Sequence, residues 1–363
     1  MTISTGKPDL DLGLDAAALT ARLVGIPSVS GEERALADAV ESALRRLPHL
    51  RLHRDGDTVV AATELGRAQR VVLAGHLDTV PGSVPARLCD GRLHGRGTSD
   101  MKSGVAVLLR LAATVTDPRR DLTYVFYDNE EVAGVPSGLE RLIDRAPGRL
   151  AGDLAVLLEP TDLTLEAGCQ GSLWVDVEVT GRAAHSARAW LGDNAIHGSL
   201  PILQRLTEHE PIPVTVDGLR YREGILAVGI TGGGTNNVVP DRCVVRLNYR
   251  FAPDKTPEAA LHRIREIFGE YEVTLVRAAP AAAPALGEPI VQEFIAATAV
   301  PVRPKYGWTD VARFAAIGVP AVNLGPGDPE LAHAGDESVA LASIGECERL
   351  LAAWLTTGHP RPV

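Results

Sequence analysis

No apolar run in this 363-residue chain is long enough to cross a bilayer, so no membrane-spanning helix is predicted. The four cysteines, Cys89, Cys169, Cys243 and Cys347, fall in no paired or metal-binding spacing. In a chain this long that argues against a disulfide framework and for a reducing compartment. Residues 1–15 lack the positively charged start and apolar stretch of a secretory signal, and none is expected. Basic excess is missing too: the net charge of −10 argues against nucleic acid and anionic membranes as partners, while leaving room for a local basic pocket for an acidic small molecule. Internal repeats and low-complexity tracts are absent from the sequence. The expectation is a cytoplasmic, acidic protein of two domains.

What is present is an ordinary soluble composition, 45% hydrophobic and 23% charged, able to bury a large core. Helices are predicted over residues 19–24, 32–47 and 103–115, and a hairpin over 52–63 turned at Asp55-Gly56-Asp57. Apolar strands over 71–74, 122–127 and 154–158 each stop where an acid or a histidine appears. Buried strands alternating with helices predict an α/β domain, a mostly parallel sheet with helices on both faces. From about residue 171 the texture changes to period-two alternation, at 173–179 and 243–251, which predicts an antiparallel sheet with one wet face. A helix near 194–208 kinked by Pro201, a strand near 225–230, a helix opened by Thr256-Pro257 and a strand over 271–276 complete a β-α-β-β-α-β order resembling a ferredoxin-like module. Residues 277–286 read as an Ala/Pro-rich linker. The α/β texture then resumes with a helix at 289–299, a strand at 319–324 and a closing helix near 343–355. The predicted division is 1–170 and 283–363 for the first domain, with 171–282 inserted.

The stretch 71–104 is the centre of the functional reading. V-V-L-A-G-H-L-D-T-V-P places His76 and Asp78 just past a strand end, where α/β sheets open into ligand crevices. An aspartate two residues after a histidine suits a carboxylate that holds the imidazole and fixes its tautomer for metal ligation. Asp100 follows in G-R-G-T-S-D-M-K-S-G, and Glu130, Glu131 and Glu159 stand at the ends of the next two strands. Acids gathered at one crevice repel each other unless cations neutralise them. Two divalent cations would do so, with Asp100, Glu131 and Glu159 returning three negative charges and leaving strong Lewis acidity.

The combination H-L-D-T-V-P, G-R-G-T-S-D-M-K, D-N-E-E, L-E-P and the late L-A-H resembles the M20 family of dinuclear zinc amidohydrolases and peptidases across essentially the whole chain. The resemblance implies a zinc-peptidase-like catalytic domain and two Zn²⁺ ions, with Co²⁺ acceptable in one site. It implies that Asp100 bridges them, that His76 and Glu159 complete one site, and that Glu131 and His333 complete the other. It further implies Asp78 as the partner of His76 and Glu130 as the general base that moves a proton from water to the leaving amine. In T-G-R-A-A-H-S, His185 falls in what would be a dimerisation domain, where an imidazolium would reach the partner's site and stabilise an oxyanion; a homodimer follows.

Asn236 and Arg250 match substrate-binding positions of the amidohydrolases, and Arg250, on the predicted wet face, suits a carboxylate. Trp308 and Arg313 lie where the better-known branch carries G-T-S-D-x-R, and the bulk of Trp308 departs from it. The glycines 232–234 lack the Lys-Ser/Thr and strand–loop–helix context of a phosphate loop. R-A-W-L-G-D-N-A-I-H, Y-R-E-G, N-Y-R-F-A-P-D and L-G-P-G-D-P-E-L-A-H resemble most the branch acting on N-succinyl amino acids. Acetylornithine deacetylase, aminoacylase, dipeptidase and a non-catalytic binding relative remain as alternatives. The small-molecule substrate is therefore expected to be an N-acyl amino acid. His49, His53, His209, His262 and His359 are expected to be solvated, and His94 and His197 lack ligand spacing.

Overall fold

The computed structural model describes residues 9–132 and 134–357. His359 and the start of the segment that bears on a secretory signal lie outside them. The chain forms two compact units. The larger contains residues up to Ala167, Ala285–Arg303 and the chain from Arg313; the smaller contains Gly168–Pro284 and Pro304–Ala312.

The larger unit is built on three apolar strands. Arg70–His76 pairs in parallel with Asp121–Tyr127 on one side and with Leu154–Leu157 on the other, and Ala321–Asn323 adds in parallel beyond. Valines and leucines run through them without alternation because both faces are buried. Pairing turns antiparallel on either side of this centre. Arg51–Asp55 and Thr58–Ala62 form the expected hairpin, whose short Gly56-Asp57 link permits only antiparallel pairing. At the other edge Leu165–Ala167 runs antiparallel to Ala321–Asn323, with Val302–Pro304 next to it.

Helix Ser103–Thr114 is apolar nearly all round, since it packs on the central strands as well as on helices Ala16–Val24 and Leu341–Thr356. Asp15, whose side chain accepts from the Ala18 amide, starts the first of these three residues before the predicted onset. The second predicted helix is shorter than its periodicity, covering Arg34–Leu44. A separate sheet of Arg87–Cys89, Arg92–His94 and Ser338–Ala340 has no signal in the sequence, because its strands are three residues each.

Two glycines decide where the Leu154–Leu157 strand delivers Glu159. A Cβ on Gly104 would lie 2.3 Å from the Leu158 carbonyl oxygen, and one on Gly325 would lie 2.3 Å from that of Glu159. The backbone at 158–159 is thus gripped from two sides by residues with no side chain.

The smaller unit is an antiparallel sheet ordered Ile212–Val216, Leu219–Gly232, Arg242–Phe251, Gly171–Thr180, Glu272–Ala279. Without the added Ile212–Val216 hairpin strand, this is the ferredoxin-like order. Val175, Val177, Val245, Leu247 and Phe251 face a core shared with Ile202, Ile264 and Phe268. On the other face Arg242 and Arg246 pair with Glu178 and Asp176 through two hydrogen bonds each. The predicted kinked helix is two helices, Ala195–Gly198 and Leu200–Thr207, broken at Ser199 with Pro201 in the first turn of the second. The linker expected over 277–286 begins later, because residues 277–279 remain in the last strand.

Replacing Gly104 by Ala forces a methyl group against a fixed backbone carbonyl. The expected cost is about 1–3 kcal/mol of overpacking, read as a lower denaturant midpoint with an unchanged m-value.

Candidate metal centre

His76, Asp78, Asp100, Glu130, Glu131, Glu159 and His333 all lie in the larger unit. His76, Asp78, Glu130, Glu131 and Glu159 stand at or just after the C-terminal ends of its parallel strands, Asp100 lies in the turn Thr98–Lys102 ahead of helix Ser103–Thr114, and His333 lies in the loop between Ala321–Asn323 and Ser338–Ala340. His76 is the last residue of its strand and is buried. Its Nε2 is 3.0 Å from Asp100 Oδ1. His333 Nε2 is 2.7 Å from Glu131 Oε1 and 3.4 Å from Asp100 Oδ2. Asp100 thus stands between two imidazoles, one on each carboxylate oxygen. Burial opposes its ionisation, yet hydrogen bonds from His333 and His76 hold its carboxyl well below the usual range. His333 is pushed up to about 10 by its bonds to Asp100 and Glu131. Burial works against a charged His76, but Asp100 and Asp78 raise it well above an ordinary imidazole.

Donor atoms of His76, Asp100 and Glu159 lie within 4.8 Å of one another, as do those of Asp100, Glu131 and His333. Ligands 2.0–2.2 Å from a tetrahedral ion stand roughly 3.4 Å apart, inside the 4.8 Å within which each of these donor sets is gathered. Nitrogen and carboxylate donors in two triads sharing one acid fit two divalent cations of hard or borderline character. A third group, His76 with Glu130 and Glu131, meets the same limit, so proximity alone does not separate a base from a ligand.

Asp78 faces His76 and does more besides. The nearer contact of His76 Nδ1 is the Asp78 backbone carbonyl at 3.0 Å, with the carboxylate at 3.5 Å. That carboxylate also accepts the amides of Glu130 and Glu131, both at 3.0 Å, and the Ser30 hydroxyl at 2.8 Å. Burial raises its pKa, but His76 and the two amides outweigh this and leave it lowered. Asn129, just before the glutamates, takes a left-handed φ of 57°, which an asparagine tolerates, and its amide donates to the buried Glu33. Burial pushes the Glu33 carboxyl up, against the Gly31 amide and with the charge of Asp78 adding to it. Neither Glu33 nor Ser30 is distinguishable in sequence from an ordinary loop or first-turn residue.

Lys102, two residues after Asp100 in the G-R-G-T-S-D-M-K run, is held by main-chain carbonyls. Its ammonium donates to the carbonyls of Leu23 and Ile26, closing the end of the first helix, and burial lowers its pKa to about 8.

The remaining candidates divide between the units. Arg313 lies in the larger one, 2.7 Å from Glu140. His185, Asn236, Arg250 and Trp308 lie in the smaller one. His185 is exposed, and its Nδ1 accepts the Ala187 amide at 3.1 Å, so the neutral ring carries its proton on Nε2. Arg250 is half-buried rather than fully wet. Its Nε donates to Asn248, and its guanidinium lies 5.9 Å from the centre of the Trp174 ring, which Arg277 also approaches at 5.3 Å. Trp308 Nε1 donates to the Pro280 carbonyl, and Asn236 sits in an exposed turn. Of the histidines expected to be solvated, His49, His53 and His209 are half-buried, and His49 contacts the Ala112 carbonyl at 2.9 Å.

The architecture is that of metallopeptidases with an inserted sheet domain. A tripeptidase from Staphylococcus aureus superposes with a TM-score of 0.77 at 18% identity, covering 97% of this chain and 99% of its own. A dinuclear metal-binding peptidase of the M20 family from Bacillus subtilis gives 0.70 at 14%, covering 93% and 95%. Residues 72–357 match peptidase family M20/M25/M40, and the chain belongs to that family. It is 50% identical over 351 residues to a putative succinyl-diaminopimelate desuccinylase of Mycobacterium tuberculosis, covering 95% of this chain and 99% of that one. It is 44% identical over 363 residues to the succinyl-diaminopimelate desuccinylase of Corynebacterium glutamicum, covering 96% and 98%.

Asp78→Ala leaves the Glu130 and Glu131 amides without their acceptor, at about 1–3 kcal/mol for each buried donor. The expected result is a folded protein whose affinity for divalent cations falls about 10–100-fold, measured by titrating metal-stripped protein.

Proposed function

We propose that this chain hydrolyses the amide of N-succinyl-LL-2,6-diaminopimelate to succinate and LL-2,6-diaminopimelate, a step of lysine and diaminopimelate biosynthesis. The observation that carries the reading is 50% and 44% identity to two desuccinylases along nearly the full length of all three chains. The arrangement around Asp100 supports the chemistry.

His76, Asp100 and Glu159 would hold one ion and Asp100, Glu131 and His333 the other, zinc in both with cobalt acceptable in one. When bound, the pair supplies Lewis acidity toward an amide carbonyl and lowers the pKa of water. Glu130 takes the proton of the attacking water and delivers it to the departing amine. Its backbone is fixed by Asp78, so its carboxylate swings only about its own side-chain torsions. Asn236, Arg250, Trp308 and Arg313 are the substrate-binding residues of this reading; the half-buried guanidinium of Arg250, which has no carboxylate partner among the described residues and donates to Asn248, supports its role in holding a substrate carboxylate.

A homodimer through the smaller unit completes the proposal. Strand Leu219–Gly232 is paired on its outer side only as far as Glu223, and Leu226, Val228 and Ile230 are exposed beyond that point, as are Ile196 and Leu200. An open apolar strand edge of this kind is a template for pairing with another chain. His185 then acts in the partner's site, where a neutral ring with its proton on Nε2 already offers a donor to the developing oxyanion. The cytoplasm is the proposed compartment: all four cysteines are free, and no described helix is long and apolar enough to cross a membrane.

Glu130→Gln is expected to retain its metal while turnover falls by roughly 10²–10⁴-fold; near-wild-type hydrolysis would remove Glu130 from the base role. Activity on a panel of N-succinyl and N-acetyl amino acids tests the substrate, and preference for acetylornithine would overturn the assignment. Mixing inactive Glu130→Gln with inactive His185→Ala protein should restore turnover, because each mixed dimer regains one complete site. Mixtures as inactive as their components would contradict a histidine acting across the dimer.

A further inference from the structure

Glu337 is buried, with its side chain 1% exposed, and it belongs to neither triad. Its Oε1 accepts the amides of Ser99 at 3.0 Å and Asp100 at 3.1 Å. Its Oε2 accepts the Gly97 amide at 3.0 Å and Arg96 Nη1 at 2.8 Å. Its own backbone carbonyl takes the Gly95 amide at 3.1 Å. Three amides of one irregular turn, those of Gly97, Ser99 and Asp100, therefore converge on one carboxylate, and Gly97 opens that turn at a φ of 79°. No helix or sheet ladder would otherwise satisfy these amides.

The acid stands four residues after His333. Immediately beyond it Ser338 pairs with His94, while Ser99 Oγ donates to the Asp328 carbonyl at 2.8 Å and Arg96 Nη1 reaches that of Ala334 at 3.3 Å. The turn bearing Asp100 and the loop bearing His333 are remote in sequence, yet Glu337 and its neighbours make them one assembly. His333 itself has a φ of 63°, a conformation that persists only where the surroundings impose it.

We propose that Glu337 is a positioning residue: it sets the separation of Asp100 and His333, and through it the affinity of the ion they share with Glu131. A carboxylate is needed because it alone offers acceptors on both oxygens. An amide at this position would turn an N–H toward either the Ser99–Asp100 pair or the Gly97–Arg96 pair. Burying one more anion next to a crowd of acids is unfavourable in itself, with Arg96 bonded to it and Lys102 nearby as the answering charges. Its return is geometric. This inference rests on the dinuclear reading above.

The test uses the full-length protein stripped of metal and titrated with Zn²⁺ against a chromophoric chelator. His333→Ala serves as the reference that loses one equivalent. Glu337→Gln should fold, as judged by its far-UV spectrum, and bind its weaker zinc about 10–100-fold less tightly. Saturating zinc should restore much of kcat, with KM nearly unchanged. Glu337→Asp keeps the charge but is one methylene short; it should show a smaller loss, and it carries the test if the glutamine variant does not fold. A purely structural role would lower the melting temperature and leave zinc affinity unchanged, which overturns the proposal, as would failure of both variants to fold. If wild-type protein takes up fewer than two equivalents, or His333→Ala keeps both, the dinuclear reading fails and the proposal falls with it. If those controls behave and the Glu337 variants bind zinc like wild type, this proposal alone fails.

Discussion

One carboxylate, Asp100, contacts two imidazoles that reach it from opposite ends of the sequence. Around it stand Glu130, Glu131 and Glu159, more negative charge than two histidines can balance. The protein restrains these acids largely through their backbones. Asp78 grips the amides of Glu130 and Glu131, Glu33 grips Asn129 just ahead of them, and Glu337 grips Asp100. The loops bearing Asp100 and the Glu130–Glu131 pair are thus each fixed by a further buried acid acting on main-chain N–H groups. Bonds from amides to charged acceptors are strong enough to hold such loops against mutual repulsion.

The centre of the larger sheet was legible because its strands are long, continuous and apolar, and because each ends in a chemically conspicuous residue. His76, Glu131 and Glu159 could be placed on one edge from that pattern alone. The ferredoxin-like order was legible for a related reason: alternation at residues 173–179 and 243–251 matches a sheet with one buried face, down to Val245 and Leu247 pointing inward. Three-residue strands such as Arg92–His94 carry too few side chains to show a period, and their pairing with Ser338–Ala340 is set by tertiary contact.

The holding groups were hidden for a different reason. Glu33 and Glu337 accept backbone amides far away in sequence and Ser30 donates to the remote Asp78 carboxylate, and no spacing rule links such partners. Asp78 was noticed for its proximity to His76, and its larger task, securing the next loop, depends on a strand pairing that places Leu77 beside Tyr127. The local contact of His185 was also beyond sequence: its Nδ1 accepts the Ala187 amide, a neighbour two residues away.

The boundary between the units is crossed by the chain four times, after Ala167, Pro284, Arg303 and Ala312. The smaller unit is therefore stitched in by two separate excursions, one long and one of only nine residues that carries Trp308. Splicing Ala167 directly to Ala285 would remove the sheet and strand that short excursion without its scaffold. Exchange of the insertion between relatives, whether in evolution or at the bench, has to move both pieces together.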